Sequence, residues 1–214
     1  MGFVVAIDGP AASGKGTLAA RLGQALGLPV LDSGLLYRAV AAAVLSDGGD
    51  LDDEAACAAA AAGLDLDALD DPALRSPQMS DGASRVAIHP SVRAALVSLQ
   101  RDFAAREPGA VLDGRDIGTV IVPGAAAKLF VTASADARAL RRWRERDARG
   151  EGMTYEDVLA DIRERDERDE RRSVAPLRAA PDAVLLDTTD LSIDAAFDAA
   201  RRIVEAARAR AGAA

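Results

Sequence analysis

The chain has 214 residues, half of them hydrophobic, with 26 Lys and Arg against 34 Asp and Glu and a formal charge of −8. That length supports one core with attached insertions, and the acid excess argues against a protein that coats nucleic acid, because phosphate backbones are held mainly by surplus positive charge. No apolar run approaches the roughly 20 residues that span a bilayer, the start runs directly into FVVAIDG without a charged leader, and the single cysteine, Cys57, rules out an internal disulfide framework and reads as packing; the expectation is a cytosolic monomer.

Residues 3–8, FVVAID, form an apolar run rich in β-branched residues, followed by a Gly-rich turn and the helical stretch TLAARLGQALG. A second run, LPVLD at 28–32, stops at Asp32-Ser33-Gly34, a helix-start signal, ahead of LLYRAVAAAVL. Residues 47–108 hold an acidic Ala-rich helix, a broken stretch LDLDALDDPALRSP, and a helical pattern from about Ser80 to Arg106. Three further strands are expected at 110–113, 128–132 and 183–187. Between the last two lies a very charged segment, 134–172, with 11 Arg against 12 Asp or Glu. It predicts a helix pair laced by pairs such as Asp161–Arg165, Glu164–Arg168 and Glu167–Arg171. A closing helix runs from Ser192. Five strands alternating with helices predict an α/β, three-layer fold around a parallel five-stranded sheet, with nucleotide chemistry at the strands' C-terminal ends.

The segment GPAASGKGT, comprising Gly9, Pro10, Ala11, Ala12, Ser13, Gly14, Lys15, Gly16 and Thr17, fits GxxxxGK between a strand and a helix. The glycines let backbone N–H groups curl around an anion, the helix start adds its positive dipole end, and Lys15 can bridge the outer phosphates of ATP. Only one other lysine, Lys128, occurs among the basic residues. Gly16 stands where most such loops carry the Mg²⁺-binding Ser or Thr; the hydroxyl comes one later, at Thr17, which leaves direct metal ligation by the loop open. A GTPase switch is disfavoured because its guanine-reading Asn-Lys-x-Asp motif needs an asparagine, and the sequence has none.

A small-molecule kinase then needs a second substrate site, and three segments offer one. In DSGLLYR, Asp32 and Ser33 close a strand, with Asp32 suited to cap the next helix, and Tyr37 and Arg38 fall on that helix's first turns. In VLDGRDIGT, Asp113, Arg115 and Asp116 crowd around Gly114 at a strand tip; a carboxylate there suits water-mediated magnesium contact and an arginine suits a transferring phosphoryl group. In IRERDERDERR, Arg165, Asp169 and Arg172 share one helix face, with Arg168 three residues after Arg165.

The ordered set GPAASGKGT, DSGLLYR, SRVAIHPSVR, DGRDIGT and RERDERDERRSVAPL resembles the bacterial cytidylate kinases, the CMP kinases of the nucleoside monophosphate kinase superfamily, from about Phe3 to Ile203. The resemblance implies transfer of the ATP γ-phosphate to CMP or dCMP, with Mg²⁺ as the metal, in pyrimidine nucleotide metabolism. It implies that Ser84, Arg93 and Asp169 read the cytosine edge, that Ser33, Asp116 and Arg165 contact the sugar, and that Arg38, Arg115 and Arg172 hold the acceptor phosphate. Lys15, Asp113, Arg115 and Arg172 are the expected catalytic set. Residues 138–172 become a lid whose Arg138 and Arg142 reach the ATP phosphates, and residues 47–108 become an acceptor-binding insertion. That insertion is trimmed, since 64–78 leaves room for little more than one hairpin. His89, the only histidine, sits beside Pro90 at a helix break and reads as structural or exposed.

Overall fold

The computed structural model describes residues 2–212, apart from the side chains of 67 and 68. Strands β1 (Phe3–Asp8), β2 (Val30–Asp32), β3 (Gly109–Gly114), β4 (Ala127–Thr132) and β5 (Val184–Asp187) form one sheet in the order β2-β3-β1-β4-β5, with every pairing parallel. β1 reads as an unbroken apolar run because both of its faces are covered. Val4 and Ala6 point to a core shared with Ala110 and Leu112, whereas Val5 and Ile7 point to a second core with Val111, Leu129 and Val131. That is the period-two alternation of a strand, used here to feed two hydrophobic layers.

Helices α1 (Lys15–Leu26) and α8 (Ile193–Gly212) close the second layer through Leu18, Leu22, Ala200 and Val204. The first layer is closed by α2 (Ser33–Ser46), α3 (Glu54–Ala62), α4 (Pro77–Val86) and α5 (Pro90–Ala104), through residues such as Leu36, Val40, Val86 and Leu96. Cys57 is buried in that layer, as expected of a packing residue. Two further helices, α6 (Ala135–Asp147) and α7 (Tyr155–Arg171), form a hairpin with a small core of its own, Ala139, Val158 and Ile162 backed by Trp143 and Met153. No described helix is long and apolar enough to cross a membrane.

Two expectations are corrected, and the helix break beside Pro90 is found where it was expected. The stretch expected to hold a hairpin folds as two 3₁₀ turns, Leu66–Asp70 and Pro72–Arg75. LDLDALDDPALRSP carries no β-branched residue to favour strand pairing, and Asp71 caps the second turn by accepting from Ala73 N at 2.8 Å, with Pro72 at its first position. The helical pattern from Ser80 to Arg106 is two helices, α4 and α5, parted at the expected break before Pro90; His89 is buried there, its Nε2 2.8 Å from Leu51 O. In the charged hairpin Glu164–Arg168 (3.5 Å) and Glu167–Arg171 (2.6 Å) form. Asp161 instead faces Arg146 at 3.4 Å and Arg165 turns inward to Ser80, so tertiary partners displace the third pair.

Candidate active site

The C-terminal tips of β1, β2 and β3 meet at one end of the sheet, and the turns that leave them carry the chemistry. β1 ends at Asp8 and runs into the Gly9–Gly14 loop. Gly9 has φ +154°, and a Cβ there would run into the Val131 carbonyl of β4, so the chain can leave the sheet at this point only as glycine. Gly14, at φ 89°, turns the loop into α1, whose first residue is Lys15. The loop is braced from behind: Arg138 Nη1 donates to Ala11 O at 3.2 Å, Thr188 Oγ1 to Ser13 O at 3.0 Å, and Lys15 Nζ to Pro10 O at 3.3 Å. The Ser13 hydroxyl is buried without a partner.

Lys15 and Asp113 face one another across this loop. Removal from water, reinforced by the nearby Arg115 charge, pulls the Lys15 ammonium well below its usual range, against the attraction of Asp113 and Asp32. Burial, and then the Asp32 charge on the adjoining strand, push the Asp113 carboxyl up. Asp113 Oδ1 is buried with no hydrogen-bond partner, and a Cβ at Gly16 would stand 3.8 Å from Asp113 Oδ2. The unpartnered Oδ1, beside a position where no side chain crowds the carboxylate, fits a hydrated divalent cation. No group of three or more His, Cys, Asp or Glu among the described residues could cage a metal by itself, so such an ion would take most of its ligands from water and phosphate.

Beyond Lys15 lies a cavity of about 170 Å³ bounded by α2, α4, the β3 turn and α7. Ser33, Tyr37 and Arg38 reach it from α2, Ser84 from α4, Arg93 from α5, Arg115 and Asp116 from the β3 turn, and Arg165, Asp169 and Arg172 from α7 and its end. Asp32 starts α2 by accepting from Gly34 N at 2.9 Å, as expected of a cap. Ser33 packs so closely on Gly114 that a Cβ there would collide with its hydroxyl. Asp169 accepts from Arg115 Nε at 2.7 Å and from Arg172 Nη2 at 2.6 Å. Burial alone would raise this carboxyl; Arg115 and Arg172 outweigh it and hold it down at about 2. Arg93 is paired with Asp116, both buried, and its guanidinium lies 5.8 Å from the centre of the Tyr37 ring. Burial pushes the Tyr37 hydroxyl up to about 12, so it stays protonated. Ser84 Oγ is buried and unpartnered beside this network.

Two expected residues stand apart. Arg168 turns out of the cavity to Asp81 (3.4 Å) and Glu164 (3.5 Å), because it lies about 60° round α7 from Arg165 and meets the acidic edge of α4 instead. Arg138 and Arg142 do not share a role in this conformation. Arg138 is buried and committed to Ala133 O (2.9 Å) and, through both Nη atoms, to Asp166 (3.0 and 2.7 Å). Among the described residues Arg142 has one ion pair, partly exposed, with Glu145 at 3.5 Å, and it borders the cavities in front of the loop.

Several site residues escaped the sequence reading. Asp8 is buried at 3% exposure and accepts from Ile117 N and Gly118 N, both at 2.7 Å, fastening the turn that carries Arg115 and Asp116 to the start of the phosphate loop. Burial raises its carboxyl to about 6, with those two N–H groups working the other way. Its position just ahead of Gly9 was the available signal. Arg141 grips Thr188, donating Nη1 to Thr188 Oγ1 at 3.1 Å, and with the exposed Leu191 and Ile193 lines a larger cavity of about 960 Å³. Nothing in the run of arginines distinguishes it. The second lysine, Lys128, is structural, with Nζ donating to Pro123 O and to Asp182 at 2.9 Å.

Comparison with known proteins agrees with this architecture. The family model described as cytidylate kinase matches residues 5–206. A cytidylate kinase of Caulobacter vibrioides is 61% identical over 210 residues, covering 98% of this chain and 99% of its own. One of Xanthobacter autotrophicus is 63% identical over 207 residues, covering 97% and 99%. A solved structure of an uncharacterized protein from Eubacterium ventriosum shares the fold, with a TM-score of 0.55 at 14% identity over 95% of this chain and 98% of that one. With a family model matched from β1 into α8 and relatives aligned end to end, this chain belongs to the cytidylate kinase family.

Proposed function

We propose that the protein transfers the γ-phosphate of ATP to CMP or dCMP, giving the diphosphate. The observation that carries this reading is the placement of Ser84, Arg93 and Asp169 around one small cavity beside the phosphate loop. Cytosine presents an exocyclic amine, which the ionised Asp169 accepts from, and ring and carbonyl acceptors, which Ser84 and Arg93 donate to. Uracil offers no such amine to Asp169.

The donor nucleotide lies along Gly9–Thr17 with its phosphates at the start of α1, where loop N–H groups and Lys15 neutralise charge. Residues 138–172 act as the lid, Arg142 reaching the phosphates directly and Arg138 joining only by releasing Asp166. Residues 47–108 act as the acceptor-binding insertion. Ser33 and Asp116 meet the sugar, with Tyr37 at their back, and Arg38, Arg115 and Arg172 surround the acceptor phosphate; Arg165, expected at the sugar, shares Ser80 Oγ with Arg38 and is assigned to the phosphate with it. Arg168 stays at the lid's edge. Asp113, through water, with Thr17 nearby, would hold Mg²⁺, which would supply positive charge to the nucleotide phosphates. No general base is needed, because an acceptor phosphate oxygen is already ionised near neutral pH; positioning and water exclusion carry the rate. Asp8 and Arg141 keep the two halves in register.

An ADP-release assay with CMP, dCMP, UMP and AMP tests the reading. Turnover is expected with CMP and dCMP and to be far weaker with UMP and AMP. Comparable rates with UMP would sink the base assignment, and ATP binding without turnover on any acceptor would indicate a nucleotide-binding regulator.

A further inference from the structure

The guanidiniums of the acceptor cavity fall into two groups. Arg93 is neutralised by Asp116, and Arg115 and Arg172 by Asp169. Arg38 and Arg165 have no carboxylate partner among the described residues and rest on neutral oxygens instead. Arg38 donates Nη1 to Leu74 O at 3.0 Å and Nη2 to Ser80 Oγ at 3.4 Å, and Arg165 donates Nη1 to the same Ser80 Oγ at 2.7 Å. Ser80 is 4% exposed, on the second turn of α4, and Leu74 lies in the 3₁₀ turn just before that helix.

A hydroxyl oxygen has two acceptor lone pairs, and two converging guanidiniums use both. The two cations repel one another, and a neutral hydroxyl relieves this only in part. A phosphate dianion relieves it fully, because each arginine can then make charge-assisted bonds. The cluster thus holds two aligned positive charges with a deficit of negative charge between them.

We infer that Ser80 is a positioning residue for the acceptor phosphate, its single Oγ aligning Arg38 and Arg165 so that CMP meets them already oriented. The inference rests on the CMP kinase reading and deepens it. Leu74 and Ser80 both come from the shortened insertion, so the 3₁₀ turn and the helix it leads into do the orienting although no strands are formed there. Aligned arginines lose less side-chain freedom on binding, which strengthens affinity for the acceptor without touching the transfer step.

The test is steady-state kinetics of wild type, Ser80→Ala and Asp81→Ala, with CMP and ATP varied in turn. For Ser80→Ala the KM for CMP is expected to rise roughly tenfold, the scale of a lost hydrogen bond to a charged group. KM for ATP and kcat should stay within about twofold, because no donor-side group is touched. Helix content should be retained, since alanine favours the helix. An unchanged KM for CMP overturns the inference. So does a parallel rise in both KM values, or an equal loss in Asp81→Ala, because either would trace the effect to loosened packing of α4 on α7. Failure of the kinase reading is seen separately, as absence of CMP turnover in the wild type, and the inference then falls with it.

Discussion

On the proposed reading, the two halves of the active site solve the same problem, holding phosphate next to phosphate, with opposite materials. The donor loop, Gly9–Thr17, is nearly all backbone: its cations are the dipole end of α1 and one ammonium, and its glycines are dictated by φ and by the nearness of Val131. The acceptor cavity is nearly all side chain, with five arginines and two carboxylates delivered by α2, α5, the β3 turn and α7. Backbone donors can aim at an anion without leaving a buried charge when the anion departs. Guanidiniums cannot, which is why Arg93, Arg115 and Arg172 are held by Asp116 and Asp169 in the free protein. The difference teaches that loss of a loop residue should cost rate, whereas loss of an acceptor-side charge should cost both affinity and stability.

The largest expected effect is that of Lys15→Ala on rate. Among the described residues Nζ donates only to Pro10 O, so the variant should unfold near the wild-type denaturant midpoint while kcat falls by at least about 10²–10³-fold. Near-normal turnover would break the contrast on the donor side. Next comes Asp169→Ala, which leaves Arg115 and Arg172 buried without a carboxylate partner. Urea unfolding should show a loss of about 3 kcal/mol, and the KM for CMP should rise. A stability equal to wild type would show that the acceptor charges do not need their carboxylates.

The smallest effect is a pH dependence that separates two buried carboxyls. Asp8, raised from 3.8 to about 6, contributes stability that is fully present below about 4 and lost as pH rises through about 6. Asp169, held at about 2, contributes stability that is present above about 4 and lost as pH falls through about 2. A carbon-13 NMR titration of the aspartate side chains should therefore find Asp8 with a midpoint far above that of Asp169. Equal midpoints would remove the electrostatic distinction between the loop's anchor and the acceptor's counter-ion.

The five strands and the phosphate loop were legible because their signals are local: apolar runs bounded by turn residues, and glycines at a strand-to-helix junction. The motifs proposed to form the acceptor site were legible as family marks, but their partners were not. The spacing of Arg165, Asp169 and Arg172 places them on one helix face, yet only packing against the β3 turn sets Arg115 on Asp169, 54 positions away. Arg168 shares their composition and faces α4 instead, drawn by Asp81. The stretch 64–78 carried a length that suggested a hairpin, and its lack of β-branched residues was the stronger term. The sequence by itself determined the sheet, the loop and the inventory of charges, since those follow from periodicity and residue type over short spans. Tertiary structure alone decided which arginine meets which acceptor, that Asp8 fastens the 117–118 turn, and that Ser80 lies between Arg38 and Arg165, because hydrogen bonds between elements depend on where the whole chain brings them.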